Sequence, residues 1–400
     1  MSLNSTPNAE RIHIGIFGRR NAGKSSLINA ITGQELAVVS DTAGTTTDPV
    51  SKAMELLPLG PVLITDTAGL DDEGDLGKQR VKQSYRVLFK SDIALVVIDS
   101  TVGITDFDEE IINKLKERNV PYIKVMNKCG LLTAIPEAKA DEIYTDALNK
   151  TNIYELKEMI GKKLDVKSET MKICGDLLNV GDFAVLVVPI DKAAPKGRLI
   201  LPQQQTIRDV LEAGATAIVC RDTELADTLQ KLGTKPKMVI TDSQAFAKVA
   251  AIVPKDIQLT SFSILMARYK GDLEANVRGV TALDGLSDGD TILISEGCTH
   301  HRQCEDIGTV KLPNWIREYT GKNFNFEFSS GGTFPEDLSR YKLIVHCGGC
   351  TLNEREMKYR LACAEESGVP MTNYGICIAY MKGILKRTLE PFEDIYSILK

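Results

Sequence analysis

The sequence predicts an α/β protein in which a doubly wound sheet is followed by two smaller α/β domains. Its 400 residues are too many for a single hydrophobic core. Continuous apolar runs rich in β-branched residues, typical of parallel strands buried on both faces, occupy residues 11–17, 62–66, 94–99 and 122–127. Stretches with helical periodicity lie between them, at residues 24–32, 78–89 and 107–118. This alternation of strand and helix predicts the doubly wound sheet.

Two further blocks continue the α/β pattern along the chain. In the second block, the predicted strands are residues 183–190, 215–220 and 237–241, and the predicted helices are residues 203–212 and 243–250. In the third block, the predicted strands 290–295 and 341–346 each end where a cysteine motif begins. We therefore predict four segments, namely a flexible tail over residues 1–10 and domains over residues 11–166, 170–265 and 266–400.

Composition and charge limit the possible partners. The formal net charge of −6 gives no general attraction for nucleic acid, so no nucleic-acid partner is expected. The longest apolar runs, at residues 93–98 and 183–190, are too short to cross a bilayer, and residues 1–10 lack the features of a secretion signal. The sequence therefore predicts a cytoplasmic protein with no membrane partner. Nine cysteines then favour metal or redox chemistry over a disulfide framework.

A glycine-rich loop between the first strand and the first helix predicts a phosphate site. Residues 18–25, GRRNAGKS, fit the pattern G-x-x-x-x-G-K-[ST]. The glycines let backbone N–H groups turn towards phosphate, which the helix N-terminus also attracts. Lys24 is expected to reach the β- and γ-phosphates, and the Ser25 hydroxyl to bind Mg²⁺. The predicted phosphate-binding residues are Gly18, Asn21, Ala22, Gly23, Lys24, Ser25 and Ser26.

Two further motifs follow in the order expected of a GTPase. Residues 66–69, DTAG, follow an apolar strand, so Asp66 is expected to hold the Mg²⁺ shell and the Gly69 N–H to sense the γ-phosphate. Residues 44–48, GTTTD, supply Thr46 as the hydroxyl that closes over Mg²⁺. We therefore predict that Lys24, Thr46, Asp66 and Gly69 carry hydrolysis. Leu70 replaces the water-orienting glutamine of Ras-like proteins, which predicts slow hydrolysis unless acidic residues 71–73 help.

The base-reading motif N-K-x-D is incomplete. It reads Asn127-Lys128-Cys129-Gly130, so the carboxylate that accepts hydrogen bonds from guanine is missing. Either guanine preference is weakened, or Asp141 or Asp146 supplies the carboxylate from a nearby loop. Residues 146–148 stand where a last guanine-contacting loop belongs, which makes Ala147 a further candidate for the base site. GTP remains the favoured nucleotide.

The three phosphate-side motifs together resemble those of the TrmE/Era-type GTPases. In that family an asparagine at the place of Asn21 binds an activating K⁺ ion beside the phosphates, so the resemblance implies K⁺ as a cofactor here. The alternative is an ordinary loop asparagine without an ion.

Two cysteine–histidine motifs in the C-terminal third point to a metal centre. Cys298-Thr299-His300 and residues 346–350, HCGGC, each follow a predicted strand, and the ends of parallel strands meet at one edge of a sheet. Three cysteines from two loops suit a cubane iron–sulfur cluster, whereas three cysteines and a histidine also suit structural Zn²⁺. Buried thiols without a metal are the third interpretation, and we expect that state for isolated cysteines, namely Cys174, Cys220 and Cys363.

The combination of a TrmE-like GTPase domain with C-x-H and, later, H-C-G-G-C resembles the HydF family of FeFe-hydrogenase maturation GTPases. The resemblance implies a 4Fe–4S cluster on Cys298, Cys347 and Cys350 with an exchangeable fourth ligand. Glu305 or His300 is the first candidate for that ligand, and the alternatives are His346, Asp306 and Cys304.

The HydF resemblance also implies a role. Such a protein is a scaffold and carrier that accepts a di-iron precursor from radical-SAM maturases and delivers it to the FeFe-hydrogenase apoprotein. The middle block is expected to be a dimerisation domain, which predicts a homodimer. The alternative is a TrmE/Era-like, RNA-associated GTPase with a C-terminal zinc module.

Overall fold

The computed structural model describes residues 6–33, 50–67, 84–165, 172–190, 199–297 and 306–399. Its contacts divide the chain into two compact units, Met1–Thr170 and Met171–Lys400. Both units are built on largely parallel β-sheet with helices between the strands, which confirms the predicted α/β class. Within the described ranges, no helix has the length and apolar character needed to cross a lipid bilayer.

The first unit contains a six-stranded sheet. In chain order its strands are β1 (Ile12–Phe17), β2 (Val50–Leu56), β3 (Gly60–Asp66), β4 (Ile93–Asp99), β5 (Tyr122–Asn127) and β6 (Glu142–Tyr144). The spatial order is β2-β3-β1-β4-β5-β6; β2 runs antiparallel to β3, and the other pairs are parallel. The carboxyl ends of the parallel strands therefore share one edge of the sheet.

Helices cover both faces of this sheet. They are α1 (Lys24–Thr32), α2 (residues 84–90), α3 (Asp106–Glu117) and α4 (Ile153–Asp165). Ile14 and Ile16 of β1 pack with α1 and α4 on one face, whereas Phe17 packs with α2 and α3 on the other. Burial on both faces explains why the strands appear in the sequence as continuous apolar runs.

The sequence did not predict two strands of this sheet, and the first described residues of the chain contact it. Strand β2 is mostly exposed and β6 has three residues, so neither produces a recognisable apolar run. Residues 6–10, predicted as part of a flexible tail, include a 3₁₀ turn at Asn8–Glu10. The Arg11 guanidinium donates to the carbonyls of Thr6 (3.1 Å) and Met54 (2.9 Å), which holds this segment against the sheet.

The second unit contains two four-stranded parallel sheets. The first, in the order β10-β9-β7-β8, consists of β7 (Phe183–Val187), β8 (Thr216–Cys220), β9 (Met238–Thr241) and β10 (Gln258–Ser261). The second, in the order β12-β11-β13-β14, consists of β11 (Thr291–Glu296), β12 (Asn325–Ser330), β13 (Tyr341–His346) and β14 (Met371–Asn373). The α-helices are α5 (Leu201–Glu212), α6 (Leu225–Leu232), α7 (Phe246–Ile252), α8 (Phe262–Lys270), α9 (Leu273–Val280), α10 (Leu312–Thr320), α11 (Glu354–Glu366), α12 (Tyr374–Met381), α13 (Leu385–Thr388) and α14 (Glu393–Tyr396).

One hydrophobic core spans both sheets of this unit. It includes Leu186 and Ile240 from the first sheet, Ile294 and Val345 from the second, and five buried residues of α8. The boundary that the sequence predicts between residues 265 and 266 therefore falls inside α8. A continuous helix with residues in a common core carries no compositional signal of a linker.

Candidate functional site

The phosphate loop turns between β1 and α1 on two glycines that admit no side chain. Gly18 has φ +146°, and a Cβ there would lie 2.2 Å from the Val97 carbonyl oxygen of β4. Gly23 has φ +94°, and its Cβ would lie 2.2 Å from Nδ2 of Asn127. Both glycines thus permit a positive φ and a close approach that other residues cannot adopt without displacement.

The Lys24 ammonium group folds back over this loop. Its Nζ donates to the carbonyl oxygens of Gly18 and Arg19, each at 2.8 Å. The loop is therefore held closed around a cation at the N-terminus of α1, where Ser25 and Ser26 follow in the first turn. This is a positively charged cradle of the kind that accommodates phosphate oxygens.

Asp66, at the end of β3, faces the start of the same helix. The Ser25 hydroxyl donates to Asp66 Oδ2 at 3.3 Å. Asp66 Oδ1 is buried, and no hydrogen-bond partner for it occurs in the described part of the chain. Burial raises the pKa of Asp66, and the Lys24 charge and the Ser25 hydrogen bond oppose that shift. A carboxylate oxygen without a hydrogen bond, next to a serine hydroxyl, suits a Mg²⁺ ion, because Mg²⁺ prefers oxygen ligands and would bring positive charge to that oxygen.

The neighbouring Thr67 is a structural residue that sequence reasoning did not single out. Its hydroxyl donates to the Ile16 carbonyl at 2.7 Å, which fixes the start of the DTAG motif to β1. The other predicted catalytic residues of this side, Thr46 and Gly69, lie outside the described residues, as do Leu70 and residues 71–73.

Asn21 adopts a left-handed backbone conformation with φ +62° and is exposed. Asparagine tolerates this conformation better than most residues, so the backbone alone gives a reason for an asparagine at this position. The side chain is at the same time accessible to an ion beside the phosphate loop.

Asn127 connects the phosphate loop to the base side of the site. Its Nδ2 donates to the Ala22 carbonyl at 3.1 Å, and its Oδ1 accepts from the Ala147 N–H at 3.1 Å. Lys128 has φ +64° and forms an ion pair with Asp99, at the end of β4, at 2.5 Å. Asp99 was not predicted, because an acidic residue at a strand end has no distinctive sequence pattern. Asn127 thus contacts both the phosphate loop and the loop of Ala147.

The two candidate replacements for the missing carboxylate have different surroundings. Asp141 forms an ion pair with Lys163 of α4. Asp146 lies against Gly130. An ideal Cβ built on Gly130 would be only 2.2 Å from Asp146 Oδ2. Asp146 is therefore the acidic side chain that fills the space next to position 130.

In the second unit, the cysteine motifs follow adjacent strands. Strands β11 and β13 are parallel neighbours with Ser295 opposite His346. Beyond them, the Gly297 N–H donates to Cys347 Sγ at 3.0 Å, and the Gly349 N–H also points at this sulfur, at 3.4 Å. Cys298, which follows Gly297, lies outside the described residues. The backbone nevertheless brings its neighbour into contact with the H-C-G-G-C loop.

Three interactions hold the H-C-G-G-C loop in place. Lys270 Nζ donates to the carbonyls of Cys350 (3.1 Å) and Leu352 (3.0 Å), and the Thr351 hydroxyl donates to the Gly297 carbonyl at 2.8 Å. Gly349 has φ +62°. Burial raises the pKa of the Cys350 thiol, and the Lys270 charge opposes that shift. A thiol in this position is expected to ionise when it binds a metal, because the metal supplies the stabilising charge.

His346, one of the ligand alternatives drawn from the sequence, has both ring nitrogens in contact with protein groups. It is fully buried; its Nδ1 is 2.7 Å from the Cys347 carbonyl, and its Nε2 is 3.1 Å from Nη1 of Arg360. Burial foremost, together with the Arg360 charge, lowers the pKa of His346 to about 3. The ring is therefore neutral, donates from Nδ1 and accepts at Nε2, which leaves neither nitrogen for iron.

Asp306 is likewise engaged. Its Oδ2 accepts from the Thr309 N–H (2.9 Å) and from the Thr309 hydroxyl (3.0 Å), so it caps the π-helical turn Ile307–Lys311. The remaining candidates for the fourth ligand, His300, Cys304 and Glu305, lie outside the described residues. Within the described ranges, no three metal-ligating side chains come together.

Three protein-family models match parts of this chain. The family model of the hydrogen maturase F dimerization domain matches residues 173–271, and that of the hydrogen maturase F tetramerization domain matches residues 274–391. A third model, described as a 50S ribosome-binding GTPase, matches residues 13–128. The chain belongs to the hydrogen maturase F family. The resemblance to HydF is thereby confirmed.

Membership of the hydrogen maturase F family settles the coarser functional predictions. Residues 13–128 form a GTPase domain, the class of domain that binds GTP with Mg²⁺ and hydrolyses it. The dimerization and tetramerization domains support self-association of a hydrogen maturase F chain. The middle block, predicted as a dimerisation domain, is the part that matches the dimerization model.

Curated relatives of this hydrogen maturase F chain match its GTPase part. The tRNA modification GTPase MnmE of Nitrosomonas europaea is 34% identical over 158 residues, which are 38% of this chain and 35% of MnmE. The GTPase Der of Wolinella succinogenes is 42% identical over 120 residues, which are 29% of this chain and 25% of Der. The match thus spans about a third or less of the length of these relatives. Among solved structures, an Era variant of Aquifex aeolicus bound to GDP and AlF4⁻ is 21% identical, with a TM-score of 0.35, over 52% of this chain and 92% of that chain.

Proposed function

We propose that this chain is a GTP-hydrolysing scaffold and carrier in the maturation of FeFe-hydrogenase. It holds a 4Fe–4S cluster on Cys298, Cys347 and Cys350 with one exchangeable site, and it delivers a di-iron precursor as cargo to the hydrogenase apoprotein. The observation that carries the proposal is the hydrogen bond from the Gly297 N–H to Cys347 Sγ at 3.0 Å.

This contact bears on all three cysteines. Consecutive Cα atoms are about 3.8 Å apart, so Cys298 begins within one residue of a backbone group that touches the Cys347 sulfur. Cys350 is in the same loop as Cys347, and Lys270 fixes its carbonyl. Backbone N–H groups that point at a cysteine sulfur are suited to a thiolate that carries negative charge to a cluster.

The exchangeable site requires a fourth ligand other than cysteine. Because His346 and Asp306 are engaged elsewhere, Glu305 and His300 are the proposed ligands. A carboxylate is a hard ligand that iron releases readily, which would open a coordination position for the cargo. Radical-SAM maturases would supply that cargo, as the family resemblance implies.

In the GTPase domain, the proposed roles follow the contacts of each side chain. Lys24, which now bonds to two loop carbonyls, exchanges them for the β- and γ-phosphates; Ser25 binds Mg²⁺, and Asp66 holds its shell. Thr46 is proposed to bind Mg²⁺ through its hydroxyl, and the Gly69 N–H to contact the γ-phosphate. Asn21 is the proposed K⁺ ligand, and hydrolysis is proposed to be slow and stimulated by K⁺.

Hydrolysis is proposed to time the dissociation of partners. Binding of GTP would order the segments that contain Thr46 and Gly69, and hydrolysis would release them. The functional unit is proposed to contain a homodimer, because the middle block matches a dimerization domain; residues 274–391, which match a tetramerization domain, would allow two such dimers to associate.

The decisive experiment is anaerobic purification followed by iron, sulfide and zinc analysis and an EPR spectrum of the reduced protein. About four irons and four sulfides per chain are expected, together with broad brown absorbance. The variants Cys298→Ser, Cys347→Ser and Cys350→Ser are each expected to lose iron. Cys363→Ser is the matched control, because Cys363 is a half-buried cysteine of α11 outside the proposed ligand set. Stoichiometric zinc without iron would contradict the proposal and would favour the zinc-module interpretation.

The carrier role needs its own assay. Protein loaded by the radical-SAM maturases is expected to activate hydrogenase apoprotein after it has been separated from the maturases. A wild-type protein that binds the cluster but never transfers activity would contradict the carrier role while leaving the cluster assignment intact.

A further inference from the structure

The space that the missing base-reading side chain would occupy is filled by another carboxylate. An ideal Cβ on Gly130 would lie 2.2 Å from Asp146 Oδ2 and 3.4 Å from Asn149 Nδ2. A gap between heavy atoms of 2.2 Å is far inside van der Waals contact, so a side chain at position 130 and the present position of Asp146 exclude one another. The glycine at 130 and the aspartate at 146 form a matched pair.

The carboxylate of Asp146 is held in a fixed orientation. Its Oδ1 accepts from the backbone N–H groups of Leu148 (3.0 Å) and Asn149 (3.1 Å), and Asp146 also forms a β-bridge with Thr151. These bonds turn the second oxygen, Oδ2, towards Gly130. Asp146 itself is buried, at 6% exposure, whereas Gly130 and Asn149 beside its Oδ2 are exposed residues.

Asp146 also belongs to the same constellation as the rest of the base side. It directly precedes Ala147, whose N–H donates to Asn127 Oδ1, and Asn127 in turn contacts the phosphate loop at Ala22. The Asn149 and Leu148 N–H groups hold the pKa of Asp146 below its usual value, against the opposing effect of burial. Asp146 is therefore a charged acceptor within the nucleotide site.

Asp146 Oδ2 already accepts a hydrogen bond from a side chain. The side-chain amide of Asn149 donates to Asp146 Oδ2 at 2.9 Å, and Asn149 is an exposed loop residue. An exposed amide that ends in two N–H groups resembles the N1–H and 2-amino edge of guanine in its donor pattern. The guanine edge can therefore replace the Asn149 amide, and the Asp146 carboxylate then keeps a hydrogen-bond donor.

We infer that Asp146 recognises the guanine edge in place of the carboxylate missing at position 130, and that Gly130 is required because it leaves room for Asp146. The ligand class is a purine nucleotide that presents N–H donors at N1 and C2. The inference rests on the proposed nucleotide site and adds the residue that determines its specificity. Asp141 has no such role, because it pairs with Lys163.

The test is competition of GTP, ATP and XTP for the anaerobically purified full chain with Mg²⁺. Wild type is expected to prefer GTP to ATP. Asp146→Asn keeps the size of the side chain but places an N–H donor where Oδ2 was, so it is expected to lose about 10- to 150-fold in GTP affinity, the range for a hydrogen bond to a charged group. It is expected to gain affinity for XTP, whose base carries an acceptor oxygen at C2.

Two further variants make the test independent of how Asp146→Asn folds. Gly130→Ala retains Asp146 but displaces its carboxylate, and it is expected to lower the preference for GTP over ATP by at least about 10-fold. Asp141→Asn is the matched control and is expected to keep the wild-type preference.

An unchanged GTP-to-ATP ratio in both Asp146→Asn and Gly130→Ala would overturn the inference, as would a wild-type protein that binds GTP and ATP equally. Failure of wild type to bind any nucleotide would instead remove the proposed nucleotide site itself. Loss of GTP affinity in Asp141→Asn, with Asp146→Asn unaffected, would assign the role to Asp141.

Discussion

The buried Arg360 of α11 offers the sharpest test of the forces that hold the second unit together. Its side chain is 0% exposed. Its Nη2 donates to Glu356 Oε1 (2.6 Å) and to the Gly331 carbonyl (2.7 Å), and Nη1 contacts His346 Nε2 (3.1 Å). Nη1 is also 3.4 Å from Ser295 Oγ on β11. One guanidinium thus connects α11 to the ends of both strands that precede the cysteine motifs.

The magnitude follows from the cost of an uncompensated buried charge. Arg360→Met leaves the Glu356 carboxylate, whose side chain is 12% exposed, without this cation, which is expected to lower the free energy of unfolding by about 3–5 kcal/mol. The double variant Arg360→Met/Glu356→Leu removes both charges of this buried pair. It still deprives the Gly331 carbonyl of a donor, so its expected cost is only about 1–3 kcal/mol. Glu356→Leu alone leaves the Arg360 guanidinium buried without its carboxylate, so it is also expected to cost about 3–5 kcal/mol. The double-mutant cycle should therefore give a coupling of at least about 3 kcal/mol.

The chain has a built-in probe for this measurement. It contains a single tryptophan, Trp315, in α10, where it packs against the core of the second unit. Urea unfolding followed by Trp315 fluorescence therefore reports on this unit, and constant m-values would show that the change is one of stability.

The matched control for Arg360 lies on the same helix. Lys358 and Glu354 form an ion pair at the same i,i+4 spacing, but their side chains are 58% and 55% exposed. Lys358→Met is expected to cost less than about 0.5 kcal/mol, because exposed ion pairs contribute little. If Arg360→Met costs no more than Lys358→Met, the Arg360 network does not stabilise the unit and the reasoning is wrong.

Four further predictions concern the two sites. Lys24→Ala should abolish phosphate release from GTP and leave the iron content unchanged; loss of iron would show that the two sites do not fold independently. Ser25→Ala, which removes the donor to Asp66, should raise the Mg²⁺ concentration for half-maximal hydrolysis by about 10-fold or more, and an unchanged Mg²⁺ titration would exclude Ser25 as a ligand. Asn21→Ala should remove the difference in hydrolysis rate between KCl and NaCl, and a retained difference would place K⁺ elsewhere. Gly349→Ala should destabilise the second unit by about 1–3 kcal/mol in urea, because φ is +62° and the new Cβ would lie 2.5 Å from Met357 Sδ; a change below about 0.5 kcal/mol would show that the loop adapts.

The sequence predicted the central strands and missed the marginal ones for one physical reason. Strands β1, β4 and β5 are buried on both faces, so their burial appears directly as unbroken apolar runs. In the edge strand β2 only Leu56 is buried and Met54 half-buried, so the strand has no unbroken apolar run to reveal it. Its pairing depends on backbone hydrogen bonds to β3, which any residue except proline can make.

Among the site residues, those with a fixed sequence pattern could be predicted, whereas those that depend on tertiary packing could not. The phosphate loop could be predicted because its chemistry requires particular residues at fixed spacing, and Lys24, Ser25 and Asp66 lie close together in the structure. The involvement of His346 could not be judged from the sequence, because a histidine beside a cysteine has the same pattern whether its nitrogens face a metal or a buried arginine. Arg360 is fourteen residues from His346 along the chain, and α11 brings it there through tertiary packing.

Both candidate sites follow the carboxyl ends of parallel strands, and in each a single buried polar side chain connects loops that are distant in sequence. Asn127 links the phosphate loop to the loop of Ala147, so one amide couples the position of the phosphates to that of the base. Arg360 links the ends of β11 and β13, so one guanidinium couples the positions from which Cys298 and Cys347 depart. Substitution of either linker should therefore weaken its site without removing a ligand. Ligand-set analysis alone would overlook Arg360, because this residue need not touch the metal centre to determine whether the loops meet.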